Sequence, residues 1–153
     1  MAASEVMVLG MGGVGSYAAE FIARAGVGKM TIVDGDVVDP TNRNRQLPAL
    51  STNHGEPKAD IMAERIKAIN PEVELQVIKS FVEPEMVKAL IALQPDYMID
   101  AIDSITPKIT FIKEAFNSGI PLVSSMGAGA KLDPTALRVV DISKTYHCPF
   151  AQR

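Results

Sequence analysis

The stretch from Glu5 to Asp34 constrains this chain more than any other. Residues 6–9 are a short apolar run with no polar residue inside it, the pattern of a buried parallel strand. Gly10-Met11-Gly12-Gly13-Val14-Gly15 follows at once. Tyr17, Ala18, Phe21, Ile22 and Ala25 then recur at helical spacing, and Gly26 stops the helix. Residues 30–33 are a second apolar run, which ends on Asp34. Strand, glycine turn, helix, strand and acid together predict a βαβ unit of the nucleotide-binding kind. Glycines let the backbone turn tightly and approach phosphate oxygens, where a side chain would block them. The helix N-terminus offers free N–H groups and a positive dipole end to the same oxygens. The acid lies about 20 residues past the glycines, where such a unit places an acceptor for a ribose hydroxyl. The alternative is a glycine turn that only packs helix on strand; the second strand and its acid weigh against it.

A polar stretch follows Asp34, with no apolar periodicity until Pro57. A loop this long in a compact chain is usually functional or mobile. It carries Asn42, Arg43, Asn44 and Arg45 just past the strand end, on the side of the sheet where ligands bind. Arginine offers a rigid fork of donors suited to phosphate, so the loop is expected to contact phosphate beside the glycine turn. A helix is expected over 57–69, with Met62, Ile66 and Ile69 as its buried stripe and Lys58 in its first turn. A lysine there opposes the helix dipole, unless it reaches an anion that the helix end already attracts.

Beyond it, residues 73–78 alternate as a strand, 84–93 form a short helix with Val87, Leu90 and Ile91 inward, and 97–103 form the next strand. Asp103 stands near that strand's C-terminal end, placed to hold a metal on a bound nucleotide or, alternatively, to cap the next helix. Asp100 is read as structural. Ile109, Ile112 and Phe116 line the helix that Gly119 ends, residues 121–124 are a buried strand, and 126–130 are a small-residue loop. Residues 137–140 read as a strand that turns back antiparallel. His54 and His147 are isolated, without the spacing of a triad or zinc site, and Cys148 has no positioned base.

Composition narrows the function classes. The 153 residues suffice for one domain, 1–153, with one sizeable core. A net charge of -3 supplies no global field to draw in nucleic acid, so an RNA partner would need a local patch or a segment outside this chain. With 1 Cys no internal disulfide can form, which fits a reducing cytoplasm. No run approaches membrane-spanning length, and Met1-Ala2-Ala3-Ser4 lacks the regions of a signal peptide. The first strand begins almost at residue 1, and the chain stops at Ala151-Gln152-Arg153 without a closing element, so a piece of a longer protein is expected.

Taken together, the glycine turn, Asp34-Gly35-Asp36, Thr41-Asn42-Arg43-Asn44-Arg45-Gln46, Gly55-Glu56-Pro57-Lys58 and Asp100-Ala101-Ile102-Asp103 resemble the ThiF/MoeB/HesA superfamily of ATP-dependent adenylating domains related to ubiquitin-activating enzymes. The resemblance runs from Val8 to about Val140. It implies a Rossmann-like α/β fold with a mainly parallel sheet and helices on both faces. It implies ATP at Gly10, Gly12, Gly13 and Gly15, with Asp34 on the ribose, and Asp36 and Gln46 in the same site. It implies that Asn42, Arg45 and Lys58 bind the phosphates and that Asp103 holds Mg2+, making Arg45, Lys58 and Asp103 the catalytic set.

Residues 126–135, with Asp141-Ile142-Ser143-Lys144-Thr145 and Cys148-Pro149, are similar to the tRNA threonylcarbamoyladenosine dehydratases within that superfamily. In that family ATP activates a carboxylate on the tRNA, and a side-chain nitrogen closes a ring with net loss of water. The resemblance also implies a homodimer, tRNA reached largely through segments outside this chain, and a link to a cysteine desulfurase and sulfur-acceptor system. An N-terminal helical segment whose arginine reaches the partner's ATP is a family feature that does not precede the first strand here. Weak adenylation alone, a self-associating apolar face and a poorly ordered or displaced 36–56 loop are therefore expected. Three other functions fit part of the pattern: adenylation of a ubiquitin-like sulfur carrier, an NAD-dependent oxidoreductase, and an inactive nucleotide-binding scaffold. The Arg45 and Lys58 pair argues against NAD, since extra cations suit a γ-phosphate and crowd a nicotinamide.

Overall fold

The computed structural model describes residues 2–129, 131–148 and 151. Met1, Ala130 of the small-residue loop, and Pro149, Phe150, Gln152 and Arg153 lie outside the described residues. Five parallel strands, β1 (Glu5–Leu9), β2 (Lys29–Val33), β3 (Glu74–Ile78), β4 (Tyr97–Asp100) and β5 (Leu122–Ser124), form one sheet in the order β3-β2-β1-β4-β5. Each connection carries a helix: α1 (Gly15–Arg24), α2 (Lys58–Ile69), α3 (Pro84–Ile91) and α4 (Ile105–Ser118). The chain winds outward from β1 to β3, then returns to β4 on the other side of β1. Between β1 and β4 the winding reverses, and a crevice opens outside the C-terminal strand ends.

The alternation within β1 sorts the core into two halves. Val6 and Val8 pack with Met30, Ile32, Ala19, Ala23, Met62 and Ile66 under α1 and α2. Met7 and Leu9 pack with Val33, Val87, Leu90, Met98, Phe111 and Ala115 under α3 and α4. The result is the three-layer, Rossmann-like α/β arrangement that the family resemblance implies, built outward from the βαβ unit that the residue pattern predicts.

Two helices turn differently from the expectation. On α1 the residues that mark the helical spacing are not the buried ones. Tyr17 is 42% exposed and Phe21 67%, while Gly15, Ser16, Ala19, Glu20 and Ala23 face inward. A Cβ at Gly15 would lie 1.8 Å from the Gly10 carbonyl oxygen, so the helix runs too close to β1 for large side chains on its inner face. Glu20 accepts hydrogen bonds from Arg65 on α2 and Arg24, which hold its carboxyl below the usual range. On α4 the inner face is Lys108, Phe111 and Ala115, and Phe116 is 85% exposed. The buried contact of Lys108 with Asp100 of β4 sets this rotation.

Two segments correct the expectation more plainly. Residues 137–140 form no strand: no described strand lies beside them, and Leu137 and Val139 are exposed. Around them lie only short 3-10 turns, Pro134–Ala136 and Ile142–Lys144, each opened by an aspartate that accepts from the backbone and the hydroxyl two residues on. The 36–56 loop, by contrast, is braced. Val38 and the 55–56 backbone exchange hydrogen bonds, and buried Asn53 ties Pro48 to Leu50. Asp39 and Asn42 close a capping box over the 3-10 turn Pro40–Asn42. These internal bonds brace the loop from within.

Candidate functional site

A cavity of about 310 Å³ lies at the C-terminal ends of β1, β2 and β4. Its floor is the glycine turn. Gly10 adopts φ +86°, and a Cβ there would meet the Ala101 carbonyl oxygen at 2.7 Å, so only glycine lets β1 pass this close to the loop after β4. Gly10 and Gly12 line the cavity. Gly13 and Gly15, expected there too, are not among its lining residues. Gly15 instead seats α1 on the strand, and Gly13 lies where a Cβ would touch Arg45 at an ordinary 3.5 Å.

Asp34 directly follows β2 and faces this floor. Its Oδ2 accepts the Met11 N–H at 2.5 Å and its Oδ1 accepts the Asp36 N–H at 2.7 Å. Burial pushes its carboxyl up, and the two backbone donors and the Lys58 charge only partly oppose that. The carboxylate thus organises the glycine turn and stays beside the cavity as a strong acceptor.

Lys58 is buried at the start of α2, and its ammonium pairs with the Asp36 carboxylate across the loop. The anion that this first-turn lysine reaches in the structure is a carboxylate of the protein itself. Asp36 and Lys58 both line the cavity, so the pair presents an aimed cation to it. Arg45 lines it as well, held by the Thr41 carbonyl and Asn44. Asn42 is buried with its Oδ1 committed to the Asp39 N–H. Gln46 lines the cavity and has a buried Oε1 with no partner among the described residues.

Asp103 lines the opposite wall and is exposed. It does not cap α4: Ser104 is the N-cap residue, and no side chain bonds to that end. β4 ends at Asp100, short of the expected 103, because Asp100 turns the chain by accepting the Ile102 N–H at 3.0 Å. Asp100 is fully buried, as its structural reading requires. No group of three or more His, Cys, Asp or Glu that could hold a metal gathers among the described residues. Cys148 is buried with its sulfur 4.0 Å from the Gly127 carbonyl oxygen, and it is not among the residues that line the cavity.

Sequence reasoning missed one wall. Ser80, Phe81, Val82 and Glu83, just past β3, line the cavity, and Phe81 is 61% exposed. Gly35 makes room for them, since a Cβ there would lie 2.2 Å from the Phe81 nitrogen. The available signal was an aromatic residue directly after a strand's C-terminal end, which matters only once β3 is known to lie beside β2. Two cations, an ordered acceptor on a glycine turn and an exposed carboxylate opposite suit a phosphorylated ligand with hydroxyl donors.

Residues 1–153 match the ThiF family. The chain belongs to the ThiF family. Among ThiF-family relatives, it is 51% identical over 149 residues to tRNA threonylcarbamoyladenosine dehydratase of Bacillus subtilis, covering 97% of this chain and 59% of that protein. It is 46% identical over 150 residues to the Escherichia coli protein of the same name, covering 98% and 56%. The crystal structure of E. coli tRNA N6-threonylcarbamoyladenosine dehydratase in complex with ATP superposes with a TM-score of 0.95 at 46% identity, covering 99% of this chain and 62% of that one. The chain therefore spans less than two thirds of the length of these relatives. Among the described residues no helix is long and apolar enough to cross a membrane.

Proposed function

We propose that this chain is the ATP-binding, carboxylate-adenylating part of a tRNA threonylcarbamoyladenosine dehydratase. The observation that carries the proposal is the meeting of Asp34, Arg45, Lys58 and Asp103 around one glycine-floored cavity. The high identity to named dehydratases supports the choice of substrate. The E. coli sulfur carrier protein ThiS adenylyltransferase is less similar, at 29% identity.

The chemistry follows from charge. A carboxylate acylates poorly because its leaving group would be oxide. Attack of the carboxylate oxygen on the α-phosphorus of ATP breaks the bond to the β-phosphate bridge, releases pyrophosphate and leaves an acyl-adenylate. A nitrogen of the same substrate then attacks the acyl carbon, closes the ring and expels AMP. The carboxylate is already a nucleophile, so the first step needs no general base, and His54 and His147 have no part in it. Arg45 and Lys58 meet the negative charge gathering on the phosphates. Asp36 keeps the Lys58 ammonium aimed before a ligand arrives. Asp34 accepts from the ribose hydroxyls, and the orphaned Gln46 Oε1 takes a further donor. The donor set fits Mg2+ as well: a single carboxylate, Asp103, supplements phosphate and water oxygens, the usual way that ion is held beside nucleotides. When bound, the ion neutralises phosphate charge. The whole protein acts as a homodimer on tRNA in a reducing cytoplasm, with tRNA contacts largely in residues beyond this chain and a cysteine desulfurase system as partner.

Binding of ATP, ADP and NAD by calorimetry tests the proposal. ATP should bind, NAD should not, and Asp34→Ala should weaken ATP by about 1–3 kcal/mol through lost charge-assisted hydrogen bonds. Unchanged ATP affinity in a folded Asp34→Ala protein would overturn the site assignment. Pyrophosphate exchange then separates an adenylating enzyme from a scaffold.

A further inference from the structure

The loop after β4 is short and open to solvent on one side, yet it is gripped from beneath. Asp100 is 0% and Lys108 1% exposed, and the Lys108 Nζ lies 2.7 Å from the Asp100 Oδ2. The same Nζ donates to the Ile102 carbonyl oxygen at 2.9 Å, while the Ile102 N–H donates to the Asp100 Oδ1 at 3.0 Å. Ser124 on β5 donates to the Asp100 Oδ2 at 2.6 Å. Both polar backbone groups of Ile102 are thus held by one buried ion pair, and the next residue is Asp103.

This arrangement is a costly way to fill space. A cation in the first turn of α4 opposes the helix dipole. Removing two charges from water is unfavourable, and a well-packed apolar pair of similar volume would serve stability as well or better. An apolar pair could not hold an N–H and a C=O at the same time. Helical side chains lean toward the N-terminus, so Lys108 reaches back to the Ile102 carbonyl while its ammonium stays on Asp100. Asp103 itself makes no cap, so its placement on the cavity wall depends on how firmly Ile102 is held.

We propose that the buried Asp100–Lys108 pair is a positioning device that clamps Ile102 from both sides and thereby holds Asp103 at the cavity wall for a divalent cation carried on a nucleotide phosphate. The proposal rests on the nucleotide-binding function above and extends it to two residues beneath the cavity.

Calorimetric titration of ATP in Mg2+ and again in EDTA gives the factor by which the ion tightens ATP. For the unaltered chain this factor should be about tenfold, within the usual range of coupling between two bound ligands. In Lys108→Met/Asp100→Leu, which removes both charges together, the factor should fall close to one while affinity in EDTA stays within about threefold, a change in coupling rather than in binding. A lower melting temperature with an unchanged factor would mean a merely structural pair and would overturn the proposal. ATP binding without any Mg2+ effect in the unaltered chain would overturn it too and leave the nucleotide site standing. No ATP binding would remove both. A measurement without substitution covers a variant that does not fold: the Ile102 amide should exchange with solvent as slowly as the β4 amides in the ligand-free chain, and exchange at ordinary loop rates would overturn the clamp.

Discussion

Gly15→Ala should be far more damaging than its chemistry suggests. In an ordinary helix the change gains about 1 kcal/mol, because alanine loses less backbone entropy. Here the new Cβ would sit 1.8 Å from the Gly10 carbonyl oxygen, 3.0 Å from its carbon and 3.1 Å from the Ala101 Cβ. Reaching even a 3.0 Å contact with the oxygen means a shift of 3.0 − 1.8 = 1.2 Å. Backbone must supply it, since neither the carbonyl nor α1 can rotate away like a side chain. Gly10 is pinned by its N–H to the Val33 carbonyl at 2.8 Å and by its own positive φ. The helix must therefore lift from β1. A gap of 0.5–1 Å already forfeits about a quarter to a half of each dispersion contact, and Ala19 and Ala23 would lose theirs. Overpacking of this kind costs about 1–3 kcal/mol, and the added loss under α1 should carry the net destabilisation to about 2–4 kcal/mol. For a chain of this size that is a fall in Tm of roughly 5–12 °C. Urea unfolding followed by circular dichroism measures it, with Gly13→Ala as control. A Cβ at Gly13 meets Arg45 only at 3.5 Å, so the control should stay within about 0.5 kcal/mol of the parent. Equal stability of the two variants would refute the argument that Gly15 is a packing glycine.

Lys58→Met should weaken ATP by about 10–100-fold, the loss of one buried charge-assisted contact, while Asp36 is left without its partner; competition against a fluorescent ATP analogue would read it, and an unchanged affinity would remove Lys58 from the site. Because burial raises the Asp34 carboxyl, ATP affinity should begin to fall at a higher pH than an ordinary carboxylate would allow, and Asp34→Asn should be weaker but flat across that window. In the ligand-free chain the sign is reversed: a raised acid favours the folded state when protonated, so stability should decline as pH rises from the ordinary carboxylate value through the raised one. Calorimetry and urea melts across the same pH range would check both. Cys148→Ser, in a protein extended to the length of the relatives, should leave cyclised tRNA product largely intact, since the thiol is buried and does not line the cavity; loss of product with adenylation preserved would make Cys148 an acyl acceptor.

Much of this protein is determined locally and is therefore visible in the chain itself. Apolar runs of strand length, the glycine turn and the acid at a strand end depend on neighbours within a few residues, and the βαβ unit follows from them. So does the side of the sheet on which ligands bind, because strands joined through helices run parallel and every loop after a strand then leaves at the same edge. Asp34, Arg45, Lys58 and Asp103 converge for that reason. Helix rotation was decided elsewhere. Periodicity picks out the largest apolar residues, but Gly15 brings α1 too close for them, and Tyr17 and Phe21 turn outward. On α4 a buried charge pair, invisible as a pattern because nothing in the sequence joins Asp100, read as structural, to Lys108, turns Phe116 to solvent. Residues 137–140 have the composition of a strand, but a strand also needs a neighbour for its N–H and C=O groups, and no described strand lies beside them. The wall at Phe81 likewise exists only because β3 pairs with β2. Local chemistry thus settled which elements form and which ends of them bear function; contacts between distant residues settled which faces are buried and how firmly each functional group is held.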